Sequence, residues 1–88
     1  MYIKLSASYY RALSKFVKGN KRNAIVIKKT LELFKRDPSY PSLNLEKLIG
    51  SKVWTIRIDR GNRIFFSWID KETALFIDIG KHDKYRSY

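Results

Sequence analysis

From residue 53 onward the apolar side chains fall at every second position, a spacing that suits strands and not helices. Residues 53–58 set Trp54, Ile56 and Ile58 on one side, and residues 63–69 do the same with Ile64, Phe66 and Trp68. Asp59-Arg60-Gly61-Asn62 between them has the chemistry of a hairpin turn. Both even-numbered sets must face one core, because a one-residue slip would send either of them to solvent. Cross-strand partners therefore share parity, and Arg57 and Arg63 emerge on the opposite face, beside each other across the hairpin. A third run, residues 73–79, follows the Asp70-Lys71-Glu72 turn. Leu75, Ile77 and Ile79 on one side with Phe76 on the other predict a strand buried on both faces, ended by Gly80.

The first half of the chain has a different period. Tyr2 to Leu5 alternates and reads as an edge strand. Ser6 is a good helix N-cap, and Tyr9, Leu13, Phe16 and Val17 then share one helical face. Gly19-Asn20 ends this helix. A second starts near Asn20 or Asn23, carries Ala24, Ile27, Leu31 and Phe34 at helical spacing, and stops at Asp37-Pro38. Residues 37–51 read as a loop, tacked to the core by Leu43, Leu45, Leu48 and Ile49. The expected architecture is a single α+β domain, residues 1–88, with a helical hairpin packed on the strands.

Nineteen Lys and Arg oppose eight Asp and Glu, a formal net charge of +11 on 88 residues. Such a field attracts polyanions and speeds encounter with them. Nucleic acid ranks first, because no segment joins a strong apolar face to a basic one as membrane-surface helices do. No apolar run reaches the ~20 residues of a membrane span, and no signal-peptide pattern opens the chain. With no cysteine and one histidine there is no metal site at ligand spacing and no cofactor loop, and a reducing cytoplasm is the expected compartment.

Two like charges side by side on a sheet cost stability unless an anion sits between them, and the planar guanidinium fork suits a phosphate. The alternative is a pair of solvated arginines, matched to Asp59 or Asp78. Beyond the third strand the chain ends GKHDKYRSY. His82 is the residue whose ordinary pKa, about 6.5, permits proton transfer at neutral pH. Tyr85 and Tyr88 are placed to stack on a base or donate to a phosphate, or else to pack the chain end onto the sheet. Lys52, Arg60, Lys81, Lys84 and Arg86 complete a basic surround suited to an RNA backbone.

In its order of elements, and in Leu48-Ile49-Gly50, Trp54-Thr55-Ile56-Arg57-Ile58, Asn62-Arg63-Ile64-Phe65-Phe66 and Ile79-Gly80-Lys81-His82, the chain resembles the RelE/ParE superfamily of type II toxins over nearly its whole length. The resemblance implies an N-terminal strand and helical hairpin on a curved, mainly antiparallel sheet of about four strands. It implies metal-independent cleavage of mRNA, usually in the ribosomal A site, and a cognate acidic antitoxin that covers the site. By position, Arg57 matches a basic strand residue of that site and Arg63 the arginine of its Y-R-I/L-x-Y/F step. His82 matches the catalytic arginine or histidine after Gly-Lys. Tyr88 matches the terminal tyrosine, with Tyr85 a rival for that place. Thr55 stands where a second basic residue is often found, and Asn62 replaces an aromatic. The departure at Thr55 keeps two further expectations open: a ParE-like inhibitor of DNA gyrase, and an inactive member that only binds antitoxin or nucleic acid.

Overall fold

A computed structural model of the chain describes residues 1–81. Strand β1 (Tyr2–Leu5) leads into helices α1 (Ala7–Val17) and α2 (Lys21–Arg36). A 3-10 turn (Pro41–Leu43) and four further strands follow: β2 (Glu46–Lys47), β3 (Trp54–Arg57), β4 (Asn62–Trp68) and β5 (Thr73–Lys81). The sheet order is β1-β5-β4-β3-β2; β1 runs parallel to β5 and every other pair is antiparallel.

The helical hairpin is built from local chemistry. The Ser6 hydroxyl accepts the Tyr9 N–H at 3.1 Å, and Asn20 Oδ1 accepts the Asn23 N–H at 3.0 Å, so each helix has a side-chain cap for its first-turn donors. Between them Gly19 takes φ +64°, a backbone state that other residues enter at a cost. Asn23 donates from Nδ2 to the Phe16 carbonyl at 2.7 Å and ties the second helix to the end of the first.

One apolar core joins the helices to one face of the sheet. It comprises Tyr9, Ile27 and Phe34 from the helices, Leu43 from the connection, and Ile56, Ile64, Phe66, Ala74, Phe76 and Ile79 from the strands. The parity argument for β3 and β4 holds: Ile56 pairs with Ile64 and Trp54 with Phe66, all on the helix side. In β5 the simple alternation fails. Ile64 pairs with Ile79 and Phe65 with Asp78, but Phe66 pairs with Phe76, so Ile77 is an extra, bulged residue. The bulge reverses parity within the strand. Phe76 and Ile79 therefore reach the same core, whereas unbroken alternation puts Leu75, Ile77 and Ile79 together.

Other expectations are corrected in detail. The sheet has five strands, because residues 46–47, read as loop, pair with β3 (Glu46 with Thr55, Lys47 with Trp54). Strand β5 continues through Gly80, which pairs with Arg63, to Lys81, which pairs with Asn62. Ala24 is exposed, and the inner face of α2 is Ile27, Thr30, Leu31 and Phe34. Thr30 is tolerated there because its hydroxyl donates to the Val26 carbonyl at 2.8 Å. Leu43 is buried, but Ile49 is fully exposed beside Gly50, whose φ is +79°.

Tyr9 is wholly buried, and its hydroxyl has no hydrogen-bond partner among the described residues. Burial, with a smaller contribution from Tyr10, pushes its phenol up to about 12. Two results are expected from Tyr9→Phe. At neutral pH the variant should be as stable as the parent or more so, by about 1 kcal/mol, since an unsatisfied buried hydroxyl is removed. The folded pKa lies above the unfolded value of 10. Parent stability from this group is therefore intact below pH 10 and declines up to about pH 12, by about 1.4 kcal/mol per pH unit. Urea denaturation of both proteins from pH 8 to 11.5 should show the gap widening only above pH 10. A constant gap would mean that Tyr9 ionises freely.

Candidate functional site

The face of the sheet turned away from the helices holds the arginines. Arg57, the last residue of β3, sits directly opposite Arg63, the second residue of β4. Cross-strand neighbours of this kind have Cβ atoms about 4.5–5.5 Å apart. On its other flank Arg63 faces Gly80, which has no side chain to cover it. The predicted juxtaposition is therefore present, but the two residues differ in environment. Arg57 is exposed, whereas Arg63 is 7% exposed.

A buried guanidinium needs partners, and among the described residues Arg63 has two. Its Nη1 donates to Thr55 Oγ1 at 3.0 Å and lies 3.7 Å from Glu46 Oε2. Thr55, one residue along β3 from Ile56 and 1% exposed, is directed by strand alternation to the arginine face. Glu46 pairs with Thr55 from the edge strand β2 and shares that face. Its other oxygen, Oε1, accepts from Asn44 Nδ2 at 3.1 Å, and Asn44 is itself in the left-handed conformation at φ 46°. Glu46 is 51% exposed at its side chain, so solvent reaches the carboxylate while the guanidinium is held beneath it.

Glu46 is the residue that sequence reasoning missed, because 37–51 was read as a loop. The available signal was the alternation Leu43-Asn44-Leu45-Glu46: with Leu43 and Leu45 against the core, Glu46 must face away from it. Of the acids first considered, Asp59 is engaged in the turn. Asp59 Oδ1 accepts the Gly61 N–H and the Asn62 N–H, both at 2.9 Å, and Asn62 Nδ2 at 3.0 Å, so this carboxylate organises the β3–β4 turn. Asp78 Oδ1 accepts the Ile79 N–H at 2.8 Å.

The remaining candidates scatter around this centre. Arg60 is exposed in the turn joining Arg57 to Arg63. Lys81, exposed at the end of β5, lies in register with Asn62, one position from Arg63, and by alternation shares the side of Ile79. Lys52 precedes the opposite end of β3 and is not part of the cluster. His82, Lys84, Tyr85, Arg86 and Tyr88 lie outside the described residues. Among the described residues no three His, Cys, Asp or Glu side chains are grouped to hold a metal ion, and no helix is long and apolar enough to cross a membrane.

No protein-family model matches the chain, and no curated protein matches it in sequence. Its architecture is nevertheless shared. A YoeB/ParE toxin from Agrobacterium tumefaciens superposes with a TM-score of 0.76 at 19% identity, over 93% of this chain and 99% of the other. The YoeB–YefM toxin–antitoxin complex from Staphylococcus aureus gives 0.72 at 18% identity, over 93% and 97%. YafQ from E. coli strain BL21(DE3) gives 0.72 at 12% identity, over 91% of each. The fold is that of the RelE/ParE toxins: two helices against one face of a mixed five-stranded sheet. The resemblance read from the sequence is borne out at that level.

Proposed function

We propose that the chain is the toxin of a type II toxin–antitoxin pair and that it cleaves mRNA without a metal ion, most effectively on the ribosome. The observation that carries this reading is the paired Arg57 and Arg63, with Arg63 clamped by Thr55 and flanked by a solvent-reachable carboxylate. Structural neighbours that include a toxin–antitoxin complex support the class.

The chemistry uses the substrate's own nucleophile. The 2′-hydroxyl attacks the adjacent phosphorus, the bond to the 5′-oxygen of the next nucleotide breaks, and a cyclic phosphate and a free 5′-hydroxyl result. Arg63, preoriented, and Arg57, exposed at the surface, hold the phosphate oxygens as charge develops on them. Glu46 stands where it can take the 2′-hydroxyl proton. It anchors Arg63, and because solvent reaches its carboxylate it can also serve as a base. His82, with Tyr85 or Tyr88, supplies the proton to the leaving oxygen. Arg60 and Lys81, with Lys52, Lys84 and Arg86, steer the backbone. Thr55, which on sequence kept a gyrase-directed reading open, has its own place in this scheme as the group that orients Arg63. The partner is an acidic antitoxin that neutralises the basic surface in the cytoplasm.

The test is primer extension on cellular mRNA after a short pulse of expression. Breaks phased with codons are expected, and His82→Ala should weaken them about 10²–10⁴-fold, the usual worth of one acid–base group. Intact RNA together with trapped DNA–gyrase cleavage complexes would replace this reading with the gyrase one. Intact RNA without such complexes, and with antitoxin binding retained, would mark an inactive member.

A further inference from the structure

Most of the net charge lies on the other side of the molecule from the arginine pair. Between Ala7 and Arg36 the chain carries nine Lys and Arg and a single acid, Glu32, so the helical hairpin, its link included, holds eight of the eleven net positive charges. All nine cations are exposed, and none has an ion-pair partner among the described residues. On α2 they are ordered. Lys21, Arg22, Lys28, Lys29, Lys35 and Arg36, with Ile25 and Glu32 between them, fall within an arc of about 140° at 100° per residue. The opposite arc carries Ile27, Thr30 and Phe34 into the core. The stripe is therefore rigid, about 22 Å long at 1.5 Å per residue, and aimed away from the sheet. Arg11 and Lys15 on α1, with Lys18 just past its end, form a shorter row that leads to the Gly19 turn.

We infer that the outer face of α2 is a second anion-binding surface, whose occupant is the phosphate backbone of double-helical RNA. The chemistry selects among polyanions. A protein partner is normally anchored by buried aromatic or aliphatic side chains, and the only large apolar groups exposed on either helix are Tyr10 and Ile25. Single strands are held by stacking on aromatic platforms, and α2 exposes no aromatic residue. A straight row of cations matches a stiff duplex, which is bound through charge and shape without base contacts. The choice of RNA over DNA, and only that choice, rests on the function proposed above. The protein would then hold a structured stretch of RNA on its helices while a single strand enters on the sheet.

The experiment measures binding of a 20-base-pair RNA duplex to the full chain as a function of salt. Three proteins are compared: the parent, Lys28→Gln/Lys29→Gln/Lys35→Gln, and Lys4→Gln/Lys47→Gln/Lys71→Gln, which loses the same charge from exposed positions on the sheet strands and their turns. Glutamine preserves helix propensity, and thermal melts verify folding. The helix variant should bind at least tenfold more weakly near 0.1 M salt, and its slope of log K against log salt should shrink by about 2–3. The sheet variant should change by less than threefold. Equal losses in the two variants, or no loss in the helix variant, would overturn the inference; a DNA duplex bound more tightly than the RNA duplex would overturn the choice of polymer. Cleavage of single-stranded mRNA by the parent is scored separately, so failure of the ribonuclease reading leaves a distinct signature.

Discussion

Arg63→Met is expected to lower RNA cleavage by about 10²–10³-fold, the usual cost of removing one preorganised donor from a transition-state charge. The loss should appear in kcat. Arg63 is held in place by Thr55 and Glu46 before substrate arrives, so it stabilises developing charge without reorganising. Methionine fills much of the same volume, and the stranded Glu46 carboxylate is 51% exposed at its side chain and can be hydrated. The fold should therefore survive, as circular dichroism and urea denaturation would verify. Arg57→Met should act more through KM, because Arg57 is an exposed side chain that gathers the phosphate. Two further variants sort the roles of the partners. Thr55→Val removes the acceptor that aims Arg63 and should reduce kcat, with Thr55→Ser restoring it. Glu46→Gln keeps an amide oxygen beside Arg63 but removes the base. If it cleaves at the parent rate, Glu46 only anchors Arg63 and takes no proton. Parent-like cleavage by Arg63→Met would remove the arginine from the mechanism altogether.

Phe34→Ala is expected to destabilise the protein by about 3–5 kcal/mol, the range for truncating a buried aromatic. Phe34 is fully buried and joins α2 to two strands at once, with ring centroids 5.1 Å from Phe66, 5.6 Å from Phe76 and 6.0 Å from Trp68. A domain of this size has a total stability of order 5–15 kcal/mol, so the variant should sit near its unfolding threshold. Its loss frees α2 from the sheet, and with it the rigid presentation of the basic stripe. The check is the urea midpoint at constant slope. A change below 1 kcal/mol would mean that α2 does not depend on this contact for docking.

Legibility in the sequence followed the range of the interaction. The hairpin register, and with it the meeting of Arg57 and Arg63, could be derived from alternation and the Asp59-Arg60-Gly61-Asn62 turn, because burial on one face admits a single parity. The helix caps at Ser6 and Asn20 were equally local. Strand β2 was not legible. Two residues carry too little pattern to call a strand, and they are extended because β3 offers an open edge to pair with. The bulge at Ile77 was hidden for a similar reason: it is a relation between β4 and β5, and either strand alone reads as regular.

Charge and periodicity along the chain already dictated a basic α+β domain with two arginines side by side, since both depend only on neighbouring residues. Packing in three dimensions decided the rest. It buried Arg63 beneath Glu46 and Thr55, residues 17 and 8 positions away in sequence, because a guanidinium withdrawn from water must find its acceptors wherever the sheet brings them. It also turned the helical cations outward, because the apolar side of α2 had only one face of the sheet to cover.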